Sequence, residues 1–562
     1  MIEEQNQPEE MQPLVNYDLQ EENQGKEIID NIEKKKNARK IWTPLYLGIA
    51  FLLGIAVALY LLPTKTSSFS NKQLQKFNEV LQYINMYYVD TVDTEKLFEE
   101  AINGMLQSLD PHSTYVNAVE NKALMESLDG AFEGIGVQFS IINDTVMVVA
   151  VVSGGPSEKV GLRVGDRIVM VDGKQFAGIG IQNEDVMKSL RGKKNSKVDV
   201  GIKREGFKQI YHYLITRDVI PTYTVDVSYM IDNNKGYIKI NQFGSTTGDE
   251  FANALKKLKS MGMKKLILDL RGNPGGYLEA AIRVCDELLP DGEMIVYTEG
   301  LRVKKNMIYA TKYGNFENGE VVVLIDDFSA SASEIVAGAV QDNDRGMVVG
   351  RRSFGKGLVQ RQFDLNDKST IRLTTSRYHT PSGRCIQKDY KNGSLAYEEE
   401  LIKRYENGEM DSTENISFDK SLQYKTKKGR TVYGGGGIMP DYFIPLDRNE
   451  ELFAFYQILN SSSIIEFAFD YATRNQQTLK SKFPNARSYV KNMTISDQLL
   501  DRLFKFYSTK TGQQLVGLNA ASKKELKVWV KALIGRNLYQ DEAFYPVINT
   551  TDKAIIKALE IK

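Results

Sequence analysis

The stretch VVVLIDDFSASASEIVAGAVQDNDRG, residues 321–346, runs from an unbroken aliphatic segment through small residues into a helical pattern. An apolar run of that length ending in a turn reads as a buried strand, and the SASAS turn then delivers a hydroxyl to the start of a helix. There the unpaired backbone N–H groups and the positive end of the helix dipole favour developing negative charge, which an attacked carbonyl oxygen acquires. Ser331 and Glu334 also have the spacing of a capping box, in which both residues merely finish the helix. On this stretch alone the cap is the better reading.

Two neighbouring stretches shift that balance. A serine hydroxyl is a poor nucleophile until a base takes its proton, and none of the three histidines, His112, His212 and His379, sits in a protease-like context. GRRSFGKGLVQ, residues 350–360, supplies Lys356 between two glycines. Burial disfavours the charged form and can bring a lysine from about 10.4 toward neutrality. An isolated GKG is more often an exposed hairpin lysine. LILDLRGNPGGYLEAA, residues 266–281, pairs a buried strand with a glycine turn into another helix. Its glycines can present N–H groups to an oxyanion without side-chain interference, or form only a tight turn. Neither GxxxxGK[ST] nor GxGxxG is present there, which disfavours nucleotide binding.

Outward from these stretches, residues 235–444 alternate strands with helices expected over 251–258, 277–288 and 334–340, the pattern of a layered α/β core. Residues 388–430 are charged and poor in apolar pattern, and read as an insertion within it. Before the core, residues 128–217 hold short β-branched runs broken by glycine turns, with one helical stretch over 184–191, and residues 70–118 fit two helices. After residue 450 the chain returns to helical periodicity, giving a C-terminal helical region over 451–562.

The chain has 562 residues, with 72 Lys plus Arg and 72 Asp plus Glu. That length implies several cores, and the balanced charge offers no general attraction to nucleic acid or anionic lipid. With two cysteines, Cys285 and Cys385, no CxxC pair and so few histidines, no structural metal is expected; the thiols read as unpaired rather than bonded. Residues 1–40 are polar, acidic at first and then basic, which reads as a disordered cytoplasmic tail. Residues 41–64 carry no charge, and about 20 apolar residues span a bilayer. Lys34, Lys35, Lys36, Arg39 and Lys40 ahead of the run keep the N-terminus cytoplasmic. A cleaved signal peptide is the alternative, but the apolar run continues past the small residues Ala56 and Ala58. The expectation is a single-pass inner-membrane anchor with the remainder in the periplasm.

Taken together, DLRGNPGG, SASASE and FGKGLVQ resemble the signature elements of the C-terminal processing peptidases, family S41, in the family's order. The resemblance extends from NMYYVDTVDTEKL and GMLQSLDPHSTY to TPSGRCIQ and GGIMPD, roughly residues 70–450. It implies a PDZ domain beside a crotonase-like α/β core over 218–450, in a multidomain α+β chain. It also implies Ser331 as nucleophile, Lys356 as general base and Gln360 as the residue that orients the lysine. Ala332 and a glycine of the GG pair, Gly276, align with the backbone oxyanion donors, and Glu334 and Asp342 with supporting acids. No metal or organic cofactor is implied.

FEGIGVQF, residues 132–139, with GGPSEKVGLRVGDRIVMVDG, residues 154–173, resembles a PDZ domain of the bacterial peptidase type. Gly134, Ile135, Gly136 and Val137 would offer N–H groups to a terminal carboxylate, the strand from Val137 would pair with a peptide, and Val186 and Leu190 would wall an apolar pocket. The expected partners are protein or peptide substrates with free C-termini and the inner membrane, with a homodimer open and no nucleic acid. An inactive PDZ scaffold is the competing function, opposed by intact Ser331, Lys356 and Gln360. A trypsin-like PDZ peptidase lacks its His and Asp triad here.

Overall fold

The computed structural model describes residues 48, 50–54, 71–142, 144–152, 154–204, 206–446 and 450–561. The expected cytoplasmic tail and most of the expected 41–64 anchor lie outside the described residues, and among those described no helix is long and apolar enough to cross a membrane. The chain divides into two compact units, residues 1–97 and 98–562. In the first, Asn71–Tyr87 is a helix. The second unit, from residue 98 onward, holds the sheets.

Its centre is a six-stranded sheet in the order Val225–Met230, Lys235–Ile240, Lys265–Asp269, Glu320–Ile325, Met347–Gly350, Tyr442–Phe443. The first pair is antiparallel and every other pair parallel. Side chains alternate across the pleat, and here both faces are covered. Leu266 and Leu268 join Val321, Val323 and the helices Thr247–Ser260, Leu278–Leu288 and Ala332–Asp342 in the main core. Ile267, Val322, Leu324 and Val349 face the other way, onto Ala554, Ile555 and Ala558 of the last helix, Lys553–Glu560. That double burial is why these strands read as continuous aliphatic runs. A second sheet carries Leu358–Asp364 antiparallel to Thr370–His379 beside the core.

The expected helices are present, with the one over 251–258 extended to Thr247–Ser260 and the one after the SASAS turn beginning at Ala332 rather than at 334. The C-terminal region is helical with its own core, in which Leu500, Leu503, Leu526, Val530 and Ile534 are buried. The last helix leaves that core for the central sheet. It is pinned there by an ion pair between Arg271 and Asp552 at 2.7 Å.

The segment 388–430 is ordered, with a helix Ser394–Glu406 and a hairpin of Gln423–Lys425 with Thr431–Tyr433. It buries Tyr397, Met410 and Ile416, and beside them charged side chains. Arg404 and Glu409 are buried and paired at 2.8 Å, and Lys388 is buried against Glu400 at 3.0 Å. Hydrophobic periodicity is blind to such packing. Cys285 and Cys385 are both free thiols.

The β-rich domain is a sheet ordered Val137–Ile141, Val146–Val151, Arg167–Val171, Lys197–Lys203, Ile210–Thr216. A two-stranded ribbon, Ala131–Gly134 with Asp218–Pro221, joins it to the core. Arg217 is buried under the end of the helix Asn183–Leu190 and donates to the carbonyls of Leu190 at 3.1 Å and Ser189 at 2.8 Å. A cation placed on orphan C-terminal carbonyls is favoured by the helix dipole.

Candidate active site

The SASAS turn is held in a conformation side chains rarely adopt, with Ser331 at φ +54°. Strain of that kind persists only where the surroundings over-determine it, and here they do. The Ser331 N–H donates to Glu334 Oε2 at 2.8 Å and its carbonyl accepts from Tyr378 Oη at 3.1 Å. Ser331 and Glu334 do stand in capping-box relation, but its firm half is the carboxylate on the Ser331 N–H; the hydroxyl makes no cap hydrogen bond. The other two serines of the turn are engaged. Ser329 Oγ donates to the Leu270 carbonyl at 2.8 Å and accepts from the Asp326 N–H at 2.9 Å, and Ser333 Oγ donates to the Asn273 carbonyl at 3.0 Å. Ser329→Ala and Ser333→Ala are therefore expected to cost about 1–2 kcal/mol of stability while kcat stays within about tenfold of the parent. Urea melts and single-peptide kinetics on the two variants check this.

The glycine turn lies directly against that serine. A Cβ on Gly275 would stand 2.8 Å from Ser331 Cβ, and one on Gly276 would stand 2.0 Å from the Phe243 carbonyl oxygen, so both positions exclude side chains. Asn273, fully buried, ties the two turns together. It donates to the Ile240 carbonyl at 3.0 Å and accepts the Gly275 N–H at 2.9 Å through its side chain, while its carbonyl accepts the Ala330 N–H at 3.0 Å. Gly275 is thereby spoken for. The N–H groups of Gly276 and Ala332 have no partner among the described residues, which is the condition an oxyanion hole requires.

Glu334 joins the third stretch to the first. It is fully buried, and its four acceptor positions are filled: Oε2 by the N–H of Ser331 and of Lys356 at 2.8 and 2.9 Å, Oε1 by the Gly355 N–H at 2.7 Å and the Ser353 hydroxyl. Burial pushes its carboxyl up to about 7 against the pull of those hydrogen bonds. Ser331 and Lys356 thus sit across one carboxylate oxygen. The Lys356 side chain is half-buried, and desolvation lowers its pKa; the Arg372 charge lowers it further, with Glu334 and Asp110 opposing. Lys356 Nζ donates to Gln360 Oε1 at 3.2 Å, and Gln360 Nε2 donates to the His112 carbonyl at 2.6 Å. No hydrogen bond joins Nζ directly to the Ser331 hydroxyl among the described residues.

Asp342 lies elsewhere. It is buried at the far end of the helix, paired with buried Arg384 at 2.7 Å and accepting from the Ser382 hydroxyl at 2.6 Å, and so anchors the TPSGRC turn. Asn273, His112 and Tyr378 were not singled out by the sequence. Asn273 lies inside RGNPGG and His112 inside DPHSTY, so the motifs contained them, but their roles depend on contacts between distant segments.

In the β-rich domain, Gly134 is the last residue of the ribbon strand and faces Asp218, so it anchors the loop rather than standing free as expected. The open N–H groups are those of Ile135 and Gly136, neither with a partner among the described residues. Gly136 takes φ +75°, and Val137–Ile141 pairs on one side only, leaving a sheet edge. Val186 and Leu190 are packed into the domain core with Ile135. Arg191, at the end of that helix, reaches Glu126 at 2.9 Å and lies over the Phe132 ring at 4.6 Å.

Comparison with known proteins identifies the domains that carry these residues. Residues 234–392 match the model of peptidase family S41 and residues 134–210 that of the PDZ domain. Residues 60–134 match the N-terminal domain of the activating protease CtpB, and 454–540 a family of unknown function. A carboxy-terminal-processing protease of Bartonella bacilliformis is 36% identical over 363 residues, covering 64% of this chain and 82% of that protein. The carboxy-terminal processing protease CtpB of Bacillus subtilis is 32% identical over 442 residues, covering 77% and 90%. Among solved structures, the photosystem II D1 C-terminal processing protease is 28% identical, covers 56% of this chain and 90% of that one, and has a TM-score of 0.32. The fold and site define a PDZ-bearing serine peptidase. The chain belongs to peptidase family S41, among the carboxy-terminal processing proteases.

Proposed function

We propose that the chain cleaves protein tails with Ser331 as nucleophile and Lys356 as general base, in a catalytic region held on the periplasmic side of the inner membrane by residues 41–64. The observation that carries this reading is the single Glu334 oxygen that accepts the N–H of both Ser331 and Lys356. Neutral Lys356 takes the Ser331 hydroxyl proton as Oγ attacks the scissile carbonyl. The oxyanion is held by the N–H groups of Gly276 and Ala332, and Lys356 returns the proton to the leaving amine. Water, deprotonated by Lys356, then attacks the ester carbonyl, and Lys356 returns that proton to Ser331 Oγ as the acyl bond breaks. Asp342 and Glu334 support the frame without reacting.

Only the neutral amine accepts a proton. Because burial and then Arg372 lower the Lys356 pKa, kcat/KM is expected to rise with pH through a transition below the free-lysine value of about 10.4. A rate that falls between about pH 6 and 9 in folded protein would count against a lysine base.

Tails would be recognised by the open N–H groups of Ile135 and Gly136 and by strand addition along Val137–Ile141. Charge-assisted hydrogen bonds to a carboxylate are the strong ones. Replacing the terminal carboxylate of a good substrate by an amide, or its last apolar residue by Asp, should lower kcat/KM about tenfold or more. Equal cleavage of acid and amide tails below saturation would remove tail recognition and leave the serine and lysine chemistry standing. Arg191, bridging the PDZ helix to Glu126 and Phe132, is the residue we assign to coupling between tail binding and the core.

A further inference from the structure

The segment 388–430 reaches the catalytic lysine. Its helix Ser394–Glu406 is fastened to the loop ahead of Lys356, since Arg404 donates to the carbonyls of Ser353 at 3.2 Å and Arg352 at 2.8 Å. From that helix the buried side chain of Tyr397 puts its hydroxyl 2.8 Å from His112 Nε2. Gln387 Nε2 donates to the same hydroxyl at 3.4 Å, while its Oε1 accepts the Gly357 N–H at 2.8 Å. With Gln387 as donor, the tyrosine O–H is free to point at the imidazole. His112 in turn accepts Gln360 on its carbonyl, and Gln360 accepts Lys356 Nζ. The contacts close a ring that runs Lys356, Gln360, His112, Tyr397, Gln387, Gly357 and back along the chain to Lys356.

The geometry points to Tyr397 and His112 as positioning residues that fix Gln360 and with it the Lys356 amine, giving the 388–430 segment a place in catalysis. This rests on Lys356 being the base. His112 serves as a neutral acceptor in this ring. Burial first, and then the facing Lys356 charge, lower its pKa to about 4, with Asp110 opposing and Lys388 assisting. The edge-on packing of its ring against Tyr397, centroids 5.1 Å apart, holds it in place, and Phe at position 397 would keep that packing while losing only the hydroxyl.

The test is Tyr397→Phe in the full chain, with kinetics and imidazole NMR, which three histidines make tractable. The expected result is a kcat about tenfold lower with KM within about twofold, a melting temperature lowered by no more than a few degrees and a His112 titration moved up toward the ordinary value. In the parent, the His112 imidazole should be the neutral Nδ1–H tautomer at neutral pH. Unchanged kcat with a shifted His112, or a loss confined to KM, would overturn the proposal. So would a charged or Nε2–H imidazole in the parent, a measurement that stands even if the variant does not fold. Retained activity in Lys356→Ala would instead sink the lysine base itself, and the two failures are distinct.

Discussion

Ser331→Ala should lose roughly 10⁴- to 10⁶-fold in kcat, the range seen when one member of a nucleophile and base unit is removed. Its fold should barely change, because the hydroxyl makes no cap hydrogen bond and the strained backbone is held by Glu334 and Tyr378 through main-chain groups that alanine keeps. A serine cap lost to alanine costs about 1 kcal/mol, so the thermal midpoint should move by less than that implies. Lys356→Ala should fall to a similar rate, and the double variant should be no worse than either single one, since the two act together. Peptide cleavage and urea melts on the three proteins decide the matter. A Ser331→Ala protein with parental activity ends the mechanism, and one with parental activity but a clear loss of stability returns the residue to the capping role its spacing also allows.

Glu334→Ala should be the most damaging single change to the fold of the site. It removes the acceptor from the N–H groups of Ser331, Gly355 and Lys356 and from the Ser353 hydroxyl. A buried donor left unmade costs about 1–3 kcal/mol. Even with partial relaxation, a loss of about 3 kcal/mol or more is expected, with activity abolished because the two catalytic loops are no longer tied. Glu334→Gln separates charge from shape. Burial holds the native carboxyl up at about 7 from 4.5. A raised folded pKa means its stabilisation is fully present below the unfolded value and is lost as pH climbs through the folded one, by about 3 kcal/mol. Parent stability relative to Glu334→Gln should therefore decline between about pH 4.5 and 7. A difference between the two proteins that does not change with pH would show that Glu334 is not titrating there.

The strands around 266–270 and 321–325 were legible because both their faces are apolar, and burial on two sides leaves an uninterrupted aliphatic signature. The resemblance of DLRGNPGG, SASASE and FGKGLVQ to the family's signature elements pointed to Ser331, Lys356 and Gln360, while the glycines and small residues at fixed places along the chain marked the tight turns beside Ser331 and Lys356. What the sequence alone determined, then, was local: which segments turn tightly, which bury, and which hydroxyl and amine stand at those turns. Tertiary structure decided everything that depends on which segments meet. Only there does Gly275 give its N–H to Asn273 and leave Gly276 open, does Glu334 change from a cap into the knot between two loops, and does Asp342 turn out to serve Arg384 at the other end of its helix. The segment 388–430 shows the reason most plainly. Beside Tyr397, Met410 and Ile416 it buries paired charges, Arg404 with Glu409 and Lys388 with Glu400, and a charge reveals that it will be buried only once its partner is in place.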